Sequence, residues 1–236
     1  MTLNCSAPLR AIVLAAGRGE RMRPLTDHTP KPLLPILGRP MIEWHLLALA
    51  RDGVREVLIN TAWLEDQFPA TLGDGSRFGL SLHYAHEGRD FGGALETAGG
   101  NKAALPWLIE GGREAFWVVS GDIWAPDFRF ETTTAERFLQ SGQQAHLWLV
   151  PNPAYHPTGD FDIATPDGTL ERLTYANLAL MRPALLDSVA AGQRSALGPL
   201  LHQGLRKAQI GLERYTGRWE NIGTPAQWAA LQTPAA

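Results

Sequence analysis

Apolar residues follow two different spacings along this chain, and the two alternate through its first half. Residues 11–14 (Ala-Ile-Val-Leu) form an unbroken apolar run too short for a helix, the mark of a strand buried on both faces. Residues 40–51 then set apolar side chains at helical spacing, with Pro40 in the first turn and Gly53 as a stop, and predict a helix. Residues 56–60 (Glu-Val-Leu-Ile-Asn) predict a second buried strand, 63–72 a helix, 73–76 a turn, and the alternating run 80–84 a further strand. A glycine-rich stretch at 91–100 leads into a short helix expected to end before Pro106. Residues 115–119 (Ala-Phe-Trp-Val-Val) are a third buried strand, running directly into Ser120-Gly121-Asp122. Strands alternating with helices predict a doubly wound, mostly parallel α/β sheet.

Beyond residue 125 the pattern loosens. A strand is predicted at 144–150, and 160–165 with 169–173 form a hairpin turning at Pro166-Asp167-Gly168. A short strand at 178–181, a helix from Pro183, strands at 210–215 and 219–222 and a helix opening at Pro225 complete the series. The first nine residues read as a loose lead-in. With no internal repeat, low-complexity tract or linker, a single domain over 1–236 is expected, its second half facing the substrate.

Composition narrows the classes of function. At 44% hydrophobic and 19% charged, the chain is that of an ordinary globular protein. A net charge of −3 argues against nucleic acid as the main partner, since phosphate-backbone binders carry a basic excess. The lone Cys5 rules out an internal disulfide and a cysteine metal cluster, which fits a reducing cytoplasm. No apolar run approaches the length of a membrane span, and residues 11–16 are too short to act as a signal peptide, so a cytoplasmic protein is expected.

The chemistry concentrates after the first strand. Residues 15–35 bring together Gly17, Gly19, Arg18, Arg21, Arg23 and Lys31, with Pro24, Pro30, Pro32 and Pro35 stiffening the path. Glycines let a backbone approach a bulky anion, and fixed cations neutralise it. At the carboxyl end of a strand in an open α/β sheet, such a loop is an anion cradle for a polyphosphate. Met22 stands where a dinucleotide fingerprint needs its third glycine, and no Gly-Lys-Ser/Thr follows, so neither a nicotinamide-dependent dehydrogenase nor a Walker loop is indicated. Asp122 ends a buried strand, where a carboxylate can cap a helix or loop or reach a magnesium ion bridging phosphates. His83 and His86 have no further ligand-like neighbours and read as strand and loop residues.

Ala15-Ala16-Gly17-x-Gly19-x-Arg21-Met22-x-Pro24-Leu25-Thr26, followed by Lys31-Pro32-x-Leu34-Pro35, resembles the signature of the sugar-1-phosphate nucleotidyltransferases. The resemblance continues through Gly121-Asp122 and residues 219–224 (Trp-Glu-Asn-Ile-Gly-Thr) and so spans nearly the whole chain. The segments at 59–63, 73–82, 95–97 and 121–124 are most like the bacterial N-acetylmuramate α-1-phosphate uridylyltransferases, which recycle cell-wall sugar. The resemblance implies a Rossmann-like nucleotidyltransferase fold, with a nucleotide-binding portion over about 10–125 and a sugar-binding portion over about 126–225. It implies transfer of a nucleotidyl group from UTP to a sugar 1-phosphate with Mg2+ as cofactor. Glucose-1-phosphate thymidylyl- and mannose-1-phosphate guanylyltransferases are the alternatives within the class, and a nucleotide-binding module with impaired catalysis is the alternative outside it.

Carried onto matching positions, the resemblance makes Arg21 and Lys31 the catalytic cations. It places Ala15, Ala16, Gly17, Gly19, Glu20, Asn60, Glu96, Thr97 and Gly100 around the nucleotide. Trp124, Asn152 and Asp162 are expected to face the sugar, and Asp122 with Asn221 to hold the metal. Many relatives read aspartate-x-glycine-threonine where this chain has Asn221-Ile222-Gly223-Thr224, which implies a weaker hold on magnesium. The stretch 89–94 is longer than the family leads one to expect. Only a dozen residues follow Thr224, without hexapeptide repeats, so no C-terminal β-helix is expected and the chain should be a monomer.

Overall fold

The computed structural model describes residues 8–232. Residues 1–7, which hold Cys5 and most of the expected lead-in, and residues 233–236 lie outside the described residues. The first strand, β1 (Arg10–Leu14), is followed by three single turns of 3-10 helix and a two-stranded ribbon, β2 (Pro35–Ile36) and β3 (Arg39–Pro40). Then come α1 (Met41–Arg51), β4 (Glu56–Thr61), α2 (Gln67–Leu72), β5 (Ser81–His86), α3 (Glu87–Phe91) and α4 (Glu96–Leu108). The second half runs β6 (Phe116–Ser120), β7 (Ile123–Trp124), α5 (Thr132–Gln140), β8 (Ala145–Val150), β9 (Phe161–Ala164) and β10 (Leu170–Met181). It closes with α6 (Gly198–Arg206), β11 (Ile210–Arg214), β12 (Glu220–Asn221) and α7 (Pro225–Ala230).

The central sheet has the order β11-β8-β10-β6-β1-β4-β5, with β9 hanging from β10. β1 lies parallel to β4 on one side and β6 on the other, and β10 is the antiparallel strand between β6 and β8. The chain steps outward from β1 to β4 and β5, and α4 then carries it back to β6 on the far side of β1. The strand order therefore reverses at β1, and the crevice above its carboxyl end is where open α/β sheets bind ligands.

Alternation along β1 divides the core into two layers. Ala11 and Val13 pack with Ile42, Leu46 and Leu49 of α1, Phe68 of α2 and Phe138 of α5. Ile12 faces the other way, with Ala98, Leu105 and Leu108 of α4 and Leu201 of α6. A third cluster joins Met22, Leu34, Ile36 and Met41 to Trp124 and Ile222, and so clamps the opening loop onto the short β7–β12 pair.

The sheet and most strands match the sequence pattern; the departures have local causes. The helix after β4 begins at Gln67, not residue 63, because Trp63 is drawn back to donate its indole N–H to the Thr26 carbonyl (2.9 Å) and Leu64 adopts a φ of 48°. α4 starts inside the expected glycine-rich loop and runs through Pro106. Its first free amides are satisfied from far away: Ala98 and Gly99 N–H both donate to the Ser195 carbonyl. Pro106 removes a donor and crowds the carbonyl one turn back, but it lies in the last turn, which buried Leu105 and Leu108 hold against the sheet. The separate strands expected at 169–173 and 178–181 are one twelve-residue strand, β10, with a bulge where Asn177 takes a φ of 59°. The helix expected from Pro183 is a single 3-10 turn, Pro183–Leu186, and the true helix of that region is α6.

Candidate active site

A cleft of about 640 Å³ opens above β1. Residues 14–22 line it together with Lys31, Pro32, Asn60, Ala94, Glu96, Thr97, Ser120, Asp122, Arg194 and Gly223. Gly19, at a φ of 66°, makes the turn possible: a Cβ there would stand 3.1 Å from Thr26 Cγ2 and 3.2 Å from Lys31 Cβ. Thr26 closes the loop by donating its hydroxyl to the Gly19 carbonyl (2.8 Å), and the next turn buries the stem of Lys31. From β6, the Gly121 N–H donates to the Leu14 carbonyl (2.8 Å), which sets Asp122 beside the loop. Lys31 Nζ then lies 2.8 Å from Asp122 Oδ2, an ion pair joining residues 91 positions apart.

The loop's cations are not equivalent. Arg18 stacks on the Trp63 ring (3.7 Å to its centre) and donates to the Thr26 carbonyl and Asp27. Arg23 also leans on Asp27, at 3.3 Å. Arg21 has no carboxylate partner among the described residues, lines the cleft, and lies against Gly223, where a Cβ would be 3.7 Å from its Cζ. Of the three arginines, Arg21 alone is left for a guest.

One wall of the cleft rests on a buried polar chain. Asn60 Oδ1 accepts from the Ala15 N–H (2.8 Å), and its amide donates to Glu87 Oε1 (2.7 Å). Glu87 Oε2 accepts from the Leu95 N–H (2.8 Å). Burial raises the Glu87 carboxyl above its ordinary value, opposed by the bonds from Leu95 and Asn60. Gly100, expected at the nucleotide, does not line the cleft. It stands behind, where a Cβ would lie 2.5 Å from Asn60 Nδ2 and 2.7 Å from Glu87 Oε1, so its missing side chain makes room for this chain of bonds. Glu87 carried no local signal beyond a polar residue after a strand.

A second cavity of about 290 Å³ adjoins the cleft, sharing Thr97 with it. Tyr155, His156, Asp160, Asn177, His202, Trp219 and Asn221 line it. None of Trp124, Asn152 and Asp162, expected at the sugar, lines either cavity. Trp124 is buried edge-on against Trp44, with ring centres 5.9 Å apart. Asn152 is tied to the Pro157 and Arg172 carbonyls and to the Thr174 hydroxyl. Asp162 pairs with Arg172 (3.1 Å) on the exposed hairpin. Arg194, which sequence reading missed, enters the cleft from a remote segment and pairs with Glu96 at 2.9 Å.

The β7–β12 pairing brings Asn221 opposite Ile123, next to Asp122. Asn221 Oδ1 is buried and accepts no hydrogen bond among the described residues. One carboxylate and one amide oxygen suit a magnesium ion, which takes few protein oxygens and completes its shell with phosphate and water. Among the described residues no group of three His, Cys, Asp or Glu could cage a metal without such help.

Behind Asp122, His45 is wholly buried and donates Nε2–H to the Ile123 carbonyl at 2.8 Å. Burial lowers its pKa from 6.5 to about 4, against the weaker pull of Ile123 and Asp122. The unfolded chain therefore takes a proton near 6.5 that the folded chain refuses until about 4, so stability is lost as pH falls across that window. The expected loss is about 3 kcal/mol. Thermal melts from pH 7 to 4 should show it, and His45→Gln, which keeps an N–H donor, should flatten this acid limb.

A doubly wound sheet whose switch point carries a glycine turn, a Lys–Asp pair and an arginine without a carboxylate partner among the described residues is suited to hold a nucleotide's phosphates. The chain matches the nucleotidyl transferase family over residues 10–169 and belongs to it. It is 43% identical to N-acetylmuramate α-1-phosphate uridylyltransferase of Neisseria meningitidis, over 96% of this chain and 98% of that one. It is 25% identical to UTP–glucose-1-phosphate uridylyltransferase of Synechocystis, over 95% of this chain but 63% of that enzyme. Its fold matches a crystal structure from Bacillus anthracis assigned as a glucose-1-phosphate thymidylyltransferase, with a TM-score of 0.78, 18% identity and coverage of 95% and 94% of the two chains. Members of the family generally use a divalent metal. No helix among the described residues is long and apolar enough to cross a membrane.

Proposed function

We propose that this protein transfers the uridylyl group of UTP to N-acetylmuramate α-1-phosphate, giving the UDP-sugar and pyrophosphate in the recycling of cell-wall sugar. The convergence of Arg21, Lys31 and Asp122 in one cleft carries the chemistry. The choice of base and sugar rests on likeness to the Neisseria enzyme along nearly the whole of both chains. An oxygen of the sugar phosphate attacks the α-phosphorus in line. The bond from that phosphorus to the bridging oxygen breaks, and the electron pair leaves with pyrophosphate. Such a step needs positioning and charge neutralisation more than covalent help. Arg21 holds the triphosphate and takes up charge on the leaving pyrophosphate, and Lys31 neutralises the α-phosphate. Ala15 to Gly19, Glu20, Asn60, Glu96 and Thr97 bound the nucleotide side. Asp122 and Asn221 would hold Mg2+, which would supply charge neutralisation for the phosphates. The protein acts as a cytoplasmic monomer, without nucleic acid or membrane.

A matrix of sugar 1-phosphates against UTP, dTTP, GTP, CTP and ATP, followed by pyrophosphate release, tests this directly. Turnover with UTP and glucose 1-phosphate but not the muramate sugar overturns the substrate and keeps the class. No turnover in any cell makes the chain a nucleotide-binding module.

Asn221 would bring an oxygen to the metal but no charge. Asn221→Asp is expected to lower the magnesium concentration for half-maximal rate several-fold, and superimposable titrations of the two proteins would refute a metal role for residue 221.

A further inference from the structure

The loop between β8 and β9 is stapled with unusual density for a surface connection. Asn152 bonds to the Pro157 and Arg172 carbonyls and accepts from Thr174. His156 N–H donates to the Pro153 carbonyl, and its ring nitrogen Nε2 meets Asp160 Oδ1 at 2.9 Å. Asp160 in turn accepts from the Tyr175 N–H (2.8 Å), and a side chain at Gly159 would strike Asn152 at 2.6 Å. Fixing a loop so thoroughly costs entropy, and here it holds Tyr155 on the wall of the second cavity while leaving that side chain 50% exposed. An aromatic ring left half in solvent on the wall of a hollow that mixes apolar side chains (Phe161, Leu201, Trp219) with polar ones (Asp160, Asn177, His202) suits a guest that has apolar ring faces and polar edges. A sugar is such a guest.

The hydroxyl end of Tyr155 is placed as tellingly as its ring. It lies beside the Asn221 backbone, within electrostatic reach of Glu220, Asp122 and Arg21. A phenol is a hydroxyl donor at neutral pH. Thus the second cavity presents a hydroxyl at its boundary with the cleft that Asp122 and Arg21 line.

We propose that Tyr155 is an acceptor-binding residue: its ring walls the sugar in the second cavity, and its hydroxyl donates to a non-attacking oxygen of the sugar phosphate, turning that phosphate toward the cleft lined by Arg21 and Lys31. This rests on the transfer reaction proposed above. The two parts of the residue separate experimentally. Tyr155→Phe keeps the wall and loses the donor, and is expected to lower kcat about 10-fold with little change in the KM for the sugar phosphate. Tyr155→Ala loses both, and should also raise that KM by about 10-fold or more. Neither change should alter the KM for UTP or the melting temperature. Titration calorimetry with a non-hydrolysable UTP analogue and Mg2+, then with the sugar 1-phosphate, provides a readout apart from turnover: the analogue should bind all three proteins alike and the sugar phosphate should bind Tyr155→Ala more weakly. Kinetic constants and affinities within twofold of wild type in both variants would overturn the role of Tyr155. A wild-type protein that turns over no sugar 1-phosphate would instead overturn the reaction, so the two failures are distinct.

Discussion

Arg21→Ala and Lys31→Ala are each expected to lower kcat by two orders of magnitude or more while leaving the fold intact. A preorganised contact to charge that develops on a reacting phosphate is worth ~3 kcal/mol or more, about a hundredfold in rate. The two losses should differ in kind. Arg21 has no carboxylate partner among the described residues, so its removal strands no buried charge and its melting temperature should stay near that of wild type. Lys31 is 7% exposed and paired with Asp122 at 2.8 Å, so its removal leaves that carboxylate without a partner. Lys31→Ala should therefore lose some stability as well as rate, and Lys31→Arg should restore charge without restoring the fit of a compact ammonium. Arg18→Ala is the internal control. Its guanidinium is already spent on Asp27, the Thr26 carbonyl and the Trp63 ring, so its loss should cost far less rate. Steady-state kinetics on the four proteins decide the matter, and equal losses for Arg18→Ala and Arg21→Ala would contradict the division of labour in the loop.

Asn60→Asp changes one atom type and should destabilise the protein by about 3 kcal/mol, the scale for breaking a buried polar network by setting like charges together. The Ala15 N–H would still be satisfied, because an aspartate oxygen accepts where the amide oxygen did. The Glu87 side would fail: an amide donor 2.7 Å from Oε1 becomes a second carboxylate in a site where burial already raises the Glu87 pKa. The pair can persist only by holding a proton, so its folded-state pKa rises above the ordinary carboxylate value of 4.5. A raised folded pKa contributes stability at low pH that is lost as pH rises through it. The deficit against wild type should thus be smallest near pH 5 and largest at pH 8, where a melting-temperature difference on the order of 10 °C is expected. Because this chain of bonds braces Ala15 and Leu95 on either side of the cleft, the KM for the nucleotide should rise with the loss of stability. A deficit independent of pH would mean that the two carboxylates do not share the site.

Much of the fold was legible because its signals are local. Buried parallel strands have nowhere to put polar side chains, so 11–14, 56–60 and 115–119 stand out as apolar runs, and α1 shows helical spacing with a proline at its start and a glycine after its end. Signals failed where a distant segment supplied what the local chain lacked. The start of α4 is capped by the Ser195 carbonyl, and no residue near Glu96 announces it. The bulge in β10 depends on pairing with two neighbours at once, so one strand looked like two pieces. At the site the same division appears: Asp122 was visible as a carboxylate ending a strand, whereas Tyr155, Asp160 and Arg194 sit in loops without periodicity.

By itself, the sequence determined the chemistry available: a glycine turn, its cations and a carboxylate at a strand end, held in short motifs whose spacing survives any packing. It also determined the sheet's core strands, because burial on two faces leaves a continuous apolar trace. The signature singled out Arg21, but only the tertiary structure gave the physical reason, since folding spends Arg18 on the Trp63 ring, the Thr26 carbonyl and Asp27. It paired Lys31 with Asp122 across 91 residues, assigned Gly100 to the support of Asn60, and put Tyr155 rather than Asn152 at the second cavity. These are contacts between segments far apart in the chain, and their register is set by how the sheet's layers pack rather than by any local pattern.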